Sequence, residues 1–98
     1  MATFIALISE TQEGESKIRE SVARANRFRE EASELGVDVK ELYWTLGSYD
    51  GVLVFEAPDD ETAAALLFKL TSKGNVRTST LRAFDSAEMQ TILKRAGV

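Results

Sequence analysis

The sequence predicts an α+β domain in the order β-α-β-β-α-β, closed by a short C-terminal helix. Three observations carry this reading. Four short segments are apolar or alternating and rich in β-branched and aromatic residues; between and after them, other segments repeat their apolar residues at steps of three and four; glycines and capping residues punctuate the boundaries.

The first strand is Thr3–Ser9, TFIALIS, a continuous apolar run expected of a strand buried on both faces. A polar connector, Glu10–Gly14, follows. From Glu15 to Leu35, the residues Ile18, Val22, Ala25, Phe28, Ala32 and Leu35 form one stripe of a long helix, ended by Gly36 at the left-handed C′ position. Its other face mixes signs. Glu15 with Arg19, and Glu20 with Arg24, stand four apart in the favourable orientation, as on a solvated helix surface.

Val37–Leu46 alternates and forms the second strand, and Val52–Ala57 forms the third, joined by the turn Gly47-Ser48-Tyr49-Asp50-Gly51. Pro58-Asp59-Asp60-Glu61 starts a helix, with Asp59 as cap and acidic residues at the positive end of the dipole. It carries Ala63, Leu66, Leu67 and Leu70 and stops at Gly74. Val76–Phe84 is the fourth strand. Asp85 and Glu88 have capping-box spacing, and Met89, Ile92, Leu93 and Ala96 form the stripe of the last helix. Residues 1–98 make one domain without linkers or repeats. The order is the ferredoxin-like split βαβ arrangement, an antiparallel sheet with both long helices on one face.

A hairpin loop of even length puts odd residues of strand two on the same face as even residues of strand three. Leu42, Trp44, Leu46, Leu53 and Phe55 then lie under the helices. Val39, Glu41, Tyr43, Thr45, Asp50, Val52, Val54 and Glu56 lie on the other face. The first strand adds to that open face either Ile5 and Leu7 or Phe4, Ala6 and Ile8, and the pattern does not choose. A face open to water should be mostly polar, and large apolar side chains there are worth roughly 1.5–3 kcal/mol each on full burial. A second copy packed face to face is therefore expected, giving a homodimer with a closed interior, a dimeric α+β barrel. The competing arrangement folds the C-terminal helix back over this face in a monomer.

The net charge is −4, with no cysteine and no histidine. Disulfides, a thiol nucleophile and a thiolate metal site are excluded, and so are the commonest general base and zinc ligand. No metal and no cofactor are expected, and acid–base chemistry would fall to Asp, Glu, Tyr or Lys. The acidic balance argues against nucleic acid as a partner. No apolar run approaches the roughly 18 residues of a membrane span, and Met1–Phe4 has no basic region of the signal-peptide kind. A cytoplasmic protein is the expectation.

Four blocks carry a resemblance: Lys40-Glu41-Leu42-Tyr43 with Thr45-Leu46-Gly47; Gly47-x-Tyr49-Asp50; Glu56-Ala57-Pro58-Asp59-Asp60-Glu61; and Gly74-Asn75-Val76-Arg77-Thr78 with Thr80-Leu81-Arg82-Ala83-Phe84. In this order the chain resembles the GYD domain family, with Gly51 departing where a larger residue is expected. The resemblance implies a dimeric α+β barrel and no particular activity. The hairpin and the last strand are also similar to the effector-binding domain of leucine-responsive transcriptional regulators. There the barrel serves association and small-ligand binding near the interface. The chain leaves no room for a helix-turn-helix half, so a stand-alone module is expected.

Asp50 can accept from backbone N–H groups of the turn, a structural role, or it can meet a ligand's amine or hydroxyl together with the Tyr49 hydroxyl. By parity Tyr49 points away from Asp50. Tyr43, Thr45 and Glu56 can line the interior with Asp50; Arg77 and Arg82 either clamp an anionic group or stand, as edge-strand arginines more often do, on a solvated face. Trp44 is expected in the core. The ligand-binding candidates are thus Tyr43, Thr45, Gly47, Tyr49, Asp50, Glu56, Arg77 and Thr78, and no catalytic residue is singled out. The expected function is a homodimeric small-molecule-binding or regulatory module with its site near the Gly47–Asp50 hairpin and the dimer interface. The alternative is a cofactor-independent enzyme of monooxygenase or isomerase type that uses interior Asp, Glu and Tyr side chains.

Overall fold

The computed structural model describes all 98 residues. Its strands are β1 (Ala2–Glu10), β2 (Asp38–Trp44), β3 (Gly51–Ala57) and β4 (Val76–Ala83). Its helices are α1 (Gln12–Ser16), α2 (Ser21–Glu34), α3 (Asp60–Thr71) and α4 (Ser86–Ala96), with a 3₁₀ turn at Ile18–Glu20. The four strands form one antiparallel sheet in the order β2-β3-β1-β4. That is the expected ferredoxin-like α+β arrangement.

The helix expected over Glu15–Leu35 is broken. Thr11 caps α1 through its side chain, which accepts from the Gly14 N–H at 3.0 Å. The same residue is tied to the α3–β4 connection, since Thr11 N–H donates to the Asn75 carbonyl at 3.0 Å and its hydroxyl to the Gly74 carbonyl at 2.6 Å. Lys17 then leaves helical geometry, at φ −116° and ψ 26°, and the chain turns before α2 crosses the sheet. Ile18 and Val22, expected in the buried stripe, are therefore exposed, whereas Phe28 and Ala32 are buried. The pairs Glu15–Arg19 and Glu20–Arg24 do not form; Glu13 and Lys17 pair at 2.9 Å instead.

The other ends follow their sequence signals. The Val37 N–H bonds the Ala32 carbonyl at 2.9 Å and Gly36 stands at φ 76°, a Schellman-type stop for α2. The Asp59 carboxylate accepts from Thr62 N–H at 2.7 Å and caps α3. Asp85 and Glu88 exchange bonds of 2.8 and 3.0 Å in a capping box at the start of α4.

Register assigns the two faces of the sheet. Phe4 opposes Phe55 and Ala6 opposes Leu53, and all four are buried with Phe28, Ala32, Ala63 and Leu66 from α2 and α3. The Phe4 and Phe55 rings stack at 5.3 Å. Strand one therefore gives Phe4, Ala6 and Ile8 to the core and Ile5 and Leu7 to the open face, the choice the pattern had not made. On the open face, Tyr43, Val52, Leu7 and Ser79 form one row across the strands, and Glu41, Val54, Ile5 and Leu81 the next.

Two residues depart from the expected parity. A β-bulge lies between Val39 and Glu41, so Val39 opposes Phe55 and packs on the core instead of facing outward. Leu46, expected under the helices, sits in the hairpin loop, fully exposed. The helix α4 does not fold back over the open face. Met89 and Leu93 of its apolar stripe remain exposed, as does Leu81 on the sheet, and the molecule measures 50 × 31 × 18 Å.

Candidate functional site

The hairpin between β2 and β3 is a four-residue loop, Leu46–Tyr49, closed by Thr45 N–H to the Asp50 carbonyl at 3.0 Å. The Thr45 hydroxyl donates to the Tyr49 carbonyl at 2.6 Å. Gly47 takes φ 117°, a region that side chains disfavour. Asp50 then anchors the loop to the end of β1 from both its ends. Its backbone N–H donates to the Ile8 carbonyl at 2.8 Å, and its carboxylate Oδ2 accepts from Glu10 N–H at 2.7 Å. The aspartate of the Tyr-Asp pair is a clamp between segments 40 residues apart.

The expected site residues do not all converge. Thr45 and Asp50 end the hairpin, and Arg77 opposes Ser9 at the same end of the sheet, with Tyr43 one row away. Glu56 lies six residues along β3 from Asp50, roughly 20 Å at strand spacing, where it approaches Lys40 at 3.7 Å. Thr78 opposes Ile8 and so faces the helices, opposite to Arg77. Tyr49 is exposed in the loop. The Tyr43 hydroxyl donates to Glu41 Oε2 at 2.7 Å, and this bond with the nearby charge raises the phenol above its ordinary value. It is a neutral donor, not a phenolate base.

Beneath the hairpin, on the helix side, is a cleft of about 130 Å³. Ile8, Phe28, Leu42 and Leu53 form apolar wall, Trp44 and Lys73 stand at its edge, and Glu10, Arg24 and Asn75 form a polar end. Trp44 is thus half exposed at the cleft, not buried in the core. Arg24 Nη2 bonds Glu10 Oε1 at 3.1 Å, with side-chain exposures of only 15% and 9%. Sequence reasoning placed Glu10 in a polar connector and Arg24 on a solvated face. Their partnership joins two elements, and the only local hint was an acidic residue ending an apolar strand.

Gly14 makes this packing possible. A Cβ there would stand 2.0 Å from the Asn75 carbonyl oxygen and 2.4 Å from Glu10 Oε2. No group of three or more His, Cys, Asp or Glu side chains is placed to hold a metal.

The signature around this hairpin has a match in known proteins. The GYD domain family matches residues 4–93. The chain belongs to the GYD domain family. A Thermus thermophilus protein named glutamine synthetase and cystathionine beta-lyase binding protein is 37% identical over 95 residues, 96% of this chain and 100% of that protein. The fold is shared with TTHA0845 of Thermus thermophilus, at a TM-score of 0.57 and 28% identity, covering 88% of this chain and 96% of that one. It is also shared with a feast or famine regulatory protein of M. tuberculosis complexed with L-methionine, at a TM-score of 0.67 and 17% identity, over 88% of this chain. This chain spans about half of that regulator, 52% of its length. These neighbours have the ferredoxin-like fold of dimeric α+β barrels. No helix of this GYD protein is long and apolar enough to cross a membrane.

Proposed function

We propose that this GYD protein is a homodimeric regulatory module that binds a small molecule beside the Gly47–Asp50 hairpin, near the interface of the two copies. The observation that carries it is the open sheet face. Ile5, Leu7, Val52, Val54 and Leu81 form a continuous apolar strip across β3, β1 and β4 with no element of the chain over it. Closing two such faces removes the strip from water and brings each hairpin end, with Tyr43, Thr45 and Arg77, to the rim of the interior. The fold shared with a regulator that holds L-methionine supports a ligand-binding role.

An enzymatic role has less support from the geometry. Asp50 is engaged by Glu10 N–H, Glu10 is paired with Arg24, Tyr43 is a neutral donor, and Glu56 is remote. The two carboxylates that line the apolar cleft, Glu10 and Asp50, each hold a structural bond through one oxygen. A second reading is docking to metabolic enzymes, favoured by the relative's name and by the fully exposed Leu46 at the hairpin tip, with Tyr49 and Trp44 also exposed nearby.

Thermal unfolding across a metabolite panel tests the proposal, with mass measured by sedimentation. A ligand at 100 times its Kd adds about 2.7 kcal/mol of stability. A dimer with one such ligand is expected; a monomer that no metabolite stabilises would overturn the reading.

A further inference from the structure

Gly51 is a glycine that the backbone does not require. Its φ is not positive, and it lies in β3, paired on both sides, with Trp44 of β2 and Ile8 of β1. Glycine in a strand gives up packing, and it often marks a place where a ligand approaches the backbone. A Cβ here would meet the Tyr43 carbonyl oxygen at 3.1 Å and Ile8 Cβ at 3.7 Å, whereas at Gly14 it would stand 2.0 Å from a backbone oxygen. Packing forbids a side chain at Gly14; at Gly51 a shift of a few tenths of an ångström would admit one.

Register shows what the missing side chain leaves. Trp44, Gly51 and Ile8 form one row and line the cleft beneath the hairpin, with Gly51 in the middle. Two strand spacings, roughly 9.5 Å, separate Trp44 from Ile8, and the floor between them is bare backbone. A flat ring held between two side chains needs about 7–8 Å, two carbon contacts of ~3.5–4.0 Å. The slot therefore takes one ring and not two. The cleft volume of about 130 Å³ is close to the ~150 Å³ of an engineered cavity that accepts benzene.

Charge gives the substituent on that ring. Glu10, Asp50, Arg24, Arg27 and Lys73 line the cleft, three cations against two anions. Glu10 pairs with Arg24, the Asp50 carboxylate accepts from Glu10 N–H, and Lys73 shares Glu31 with Lys69. Counting Glu31 and Lys69 with the others leaves the same surplus of one positive charge. Arg27, exposed on α2, enters none of the chain's ion pairs. Its guanidinium is free to receive a carboxylate.

We propose that this cleft binds a single-ring aromatic monocarboxylate. The ring lies over Gly51 between the Trp44 indole and Ile8, and the carboxylate meets Arg27 at the rim. The site is on the helix side of the sheet, away from the interior that two copies would enclose, so it goes beyond the reading above and does not depend on it.

Trp44 is the only tryptophan, so its fluorescence reports the slot directly. The test titrates the intact protein with benzoate, phenylacetate and 3-phenylpropanoate, and with 3-phenylpropanamide and 2-phenylethylamine as neutral and cationic controls. At least one acid is expected to change Trp44 emission saturably. The controls should bind about fivefold more weakly, the upper end for one exposed ion pair. Gly51→Val fills the slot and should abolish the response while circular dichroism stays native. Arg27→Gln, an exposed and unpaired position that does not threaten folding, should erase the preference for acid over amide. No saturable response to any acid, an amide or amine that binds as tightly, an acid preference unchanged in Arg27→Gln, or binding that persists in Gly51→Val would overturn the assignment. A monomer that passes these tests leaves this site standing while the dimer reading falls; a dimer that fails them does the reverse.

Discussion

Replacing Asp50 by alanine removes the carboxylate that accepts from Glu10 N–H at 2.7 Å, but leaves the Asp50 N–H to Ile8 bond of 2.8 Å. A hydrogen bond to a charged group contributes about 1.5–3 kcal/mol. The bond is exposed, so water takes over part of the acceptor's role and a loss near 1.5 kcal/mol is expected. For a domain of this size each kcal/mol moves Tm by about 4–8 °C, so Asp50→Ala should melt roughly 6–12 °C below the wild type by circular dichroism. Asp50→Asn keeps an acceptor oxygen in the same place and should recover at least half of the loss. A Tm for Asp50→Ala within the error of wild type would refute the clamp and leave ligand contact as the reason for the residue. The same conclusion would follow if Asn and Ala were equally damaging.

Gly14→Ala forces a methyl group to 2.0 Å from the Asn75 carbonyl; overpacking of this kind costs about 1–3 kcal/mol or more, read as a lowered urea midpoint, and an unchanged midpoint would contradict the packing described. Glu31 is held below its ordinary value of 4.5, chiefly by its hydrogen bond to Lys73, with Lys69 nearby. Its stabilising contribution is complete above that value and is lost as pH falls through the lower folded one, so Glu31→Gln should lower stability at neutral pH and flatten the acid limb of the pH–stability curve. Equal acid limbs for both proteins would contradict it. Val54→Asp places a charge in the centre of the open face in both copies; at about 1.5 kcal/mol per copy the dimer constant should weaken roughly 100-fold by sedimentation, and an unchanged constant would place the interface elsewhere.

The element order and the two faces of the β2–β3 hairpin were legible because their residues alternate and the hairpin loop has even length, whereas the continuous apolar run of β1 left its face open until the register put Phe4 and Ala6 on the core. That parity holds from Glu41 to Asp50 and fails at Lys40, where one extra residue turns Val39 inward. Nothing in the local sequence announces the bulge; Lys40 reaches Asp38 at 2.8 Å and Glu56 at 3.7 Å from there. The break at Lys17 was equally hidden, since residues 15–35 keep a helical period throughout. The start of α1 was hidden too, since Thr11 at its N-cap is tied to the Gly74-Asn75 turn, which lies more than 60 residues away. The Glu10–Arg24 pair eluded the sequence for the same reason: a buried charge is recognised by its partner, and the partner sits on another element. Asp50 was the reverse case, a short-range signature whose role as a clamp became readable only with the end of β1 beside it.

The central claim is that the apolar face of the sheet is closed by a second copy of the chain. Sedimentation equilibrium of the wild-type protein at micromolar concentration tests it most directly. The account predicts a species of twice the 10.8 kDa chain mass that dissociates on dilution only far below that range; a single-chain mass throughout would contradict it.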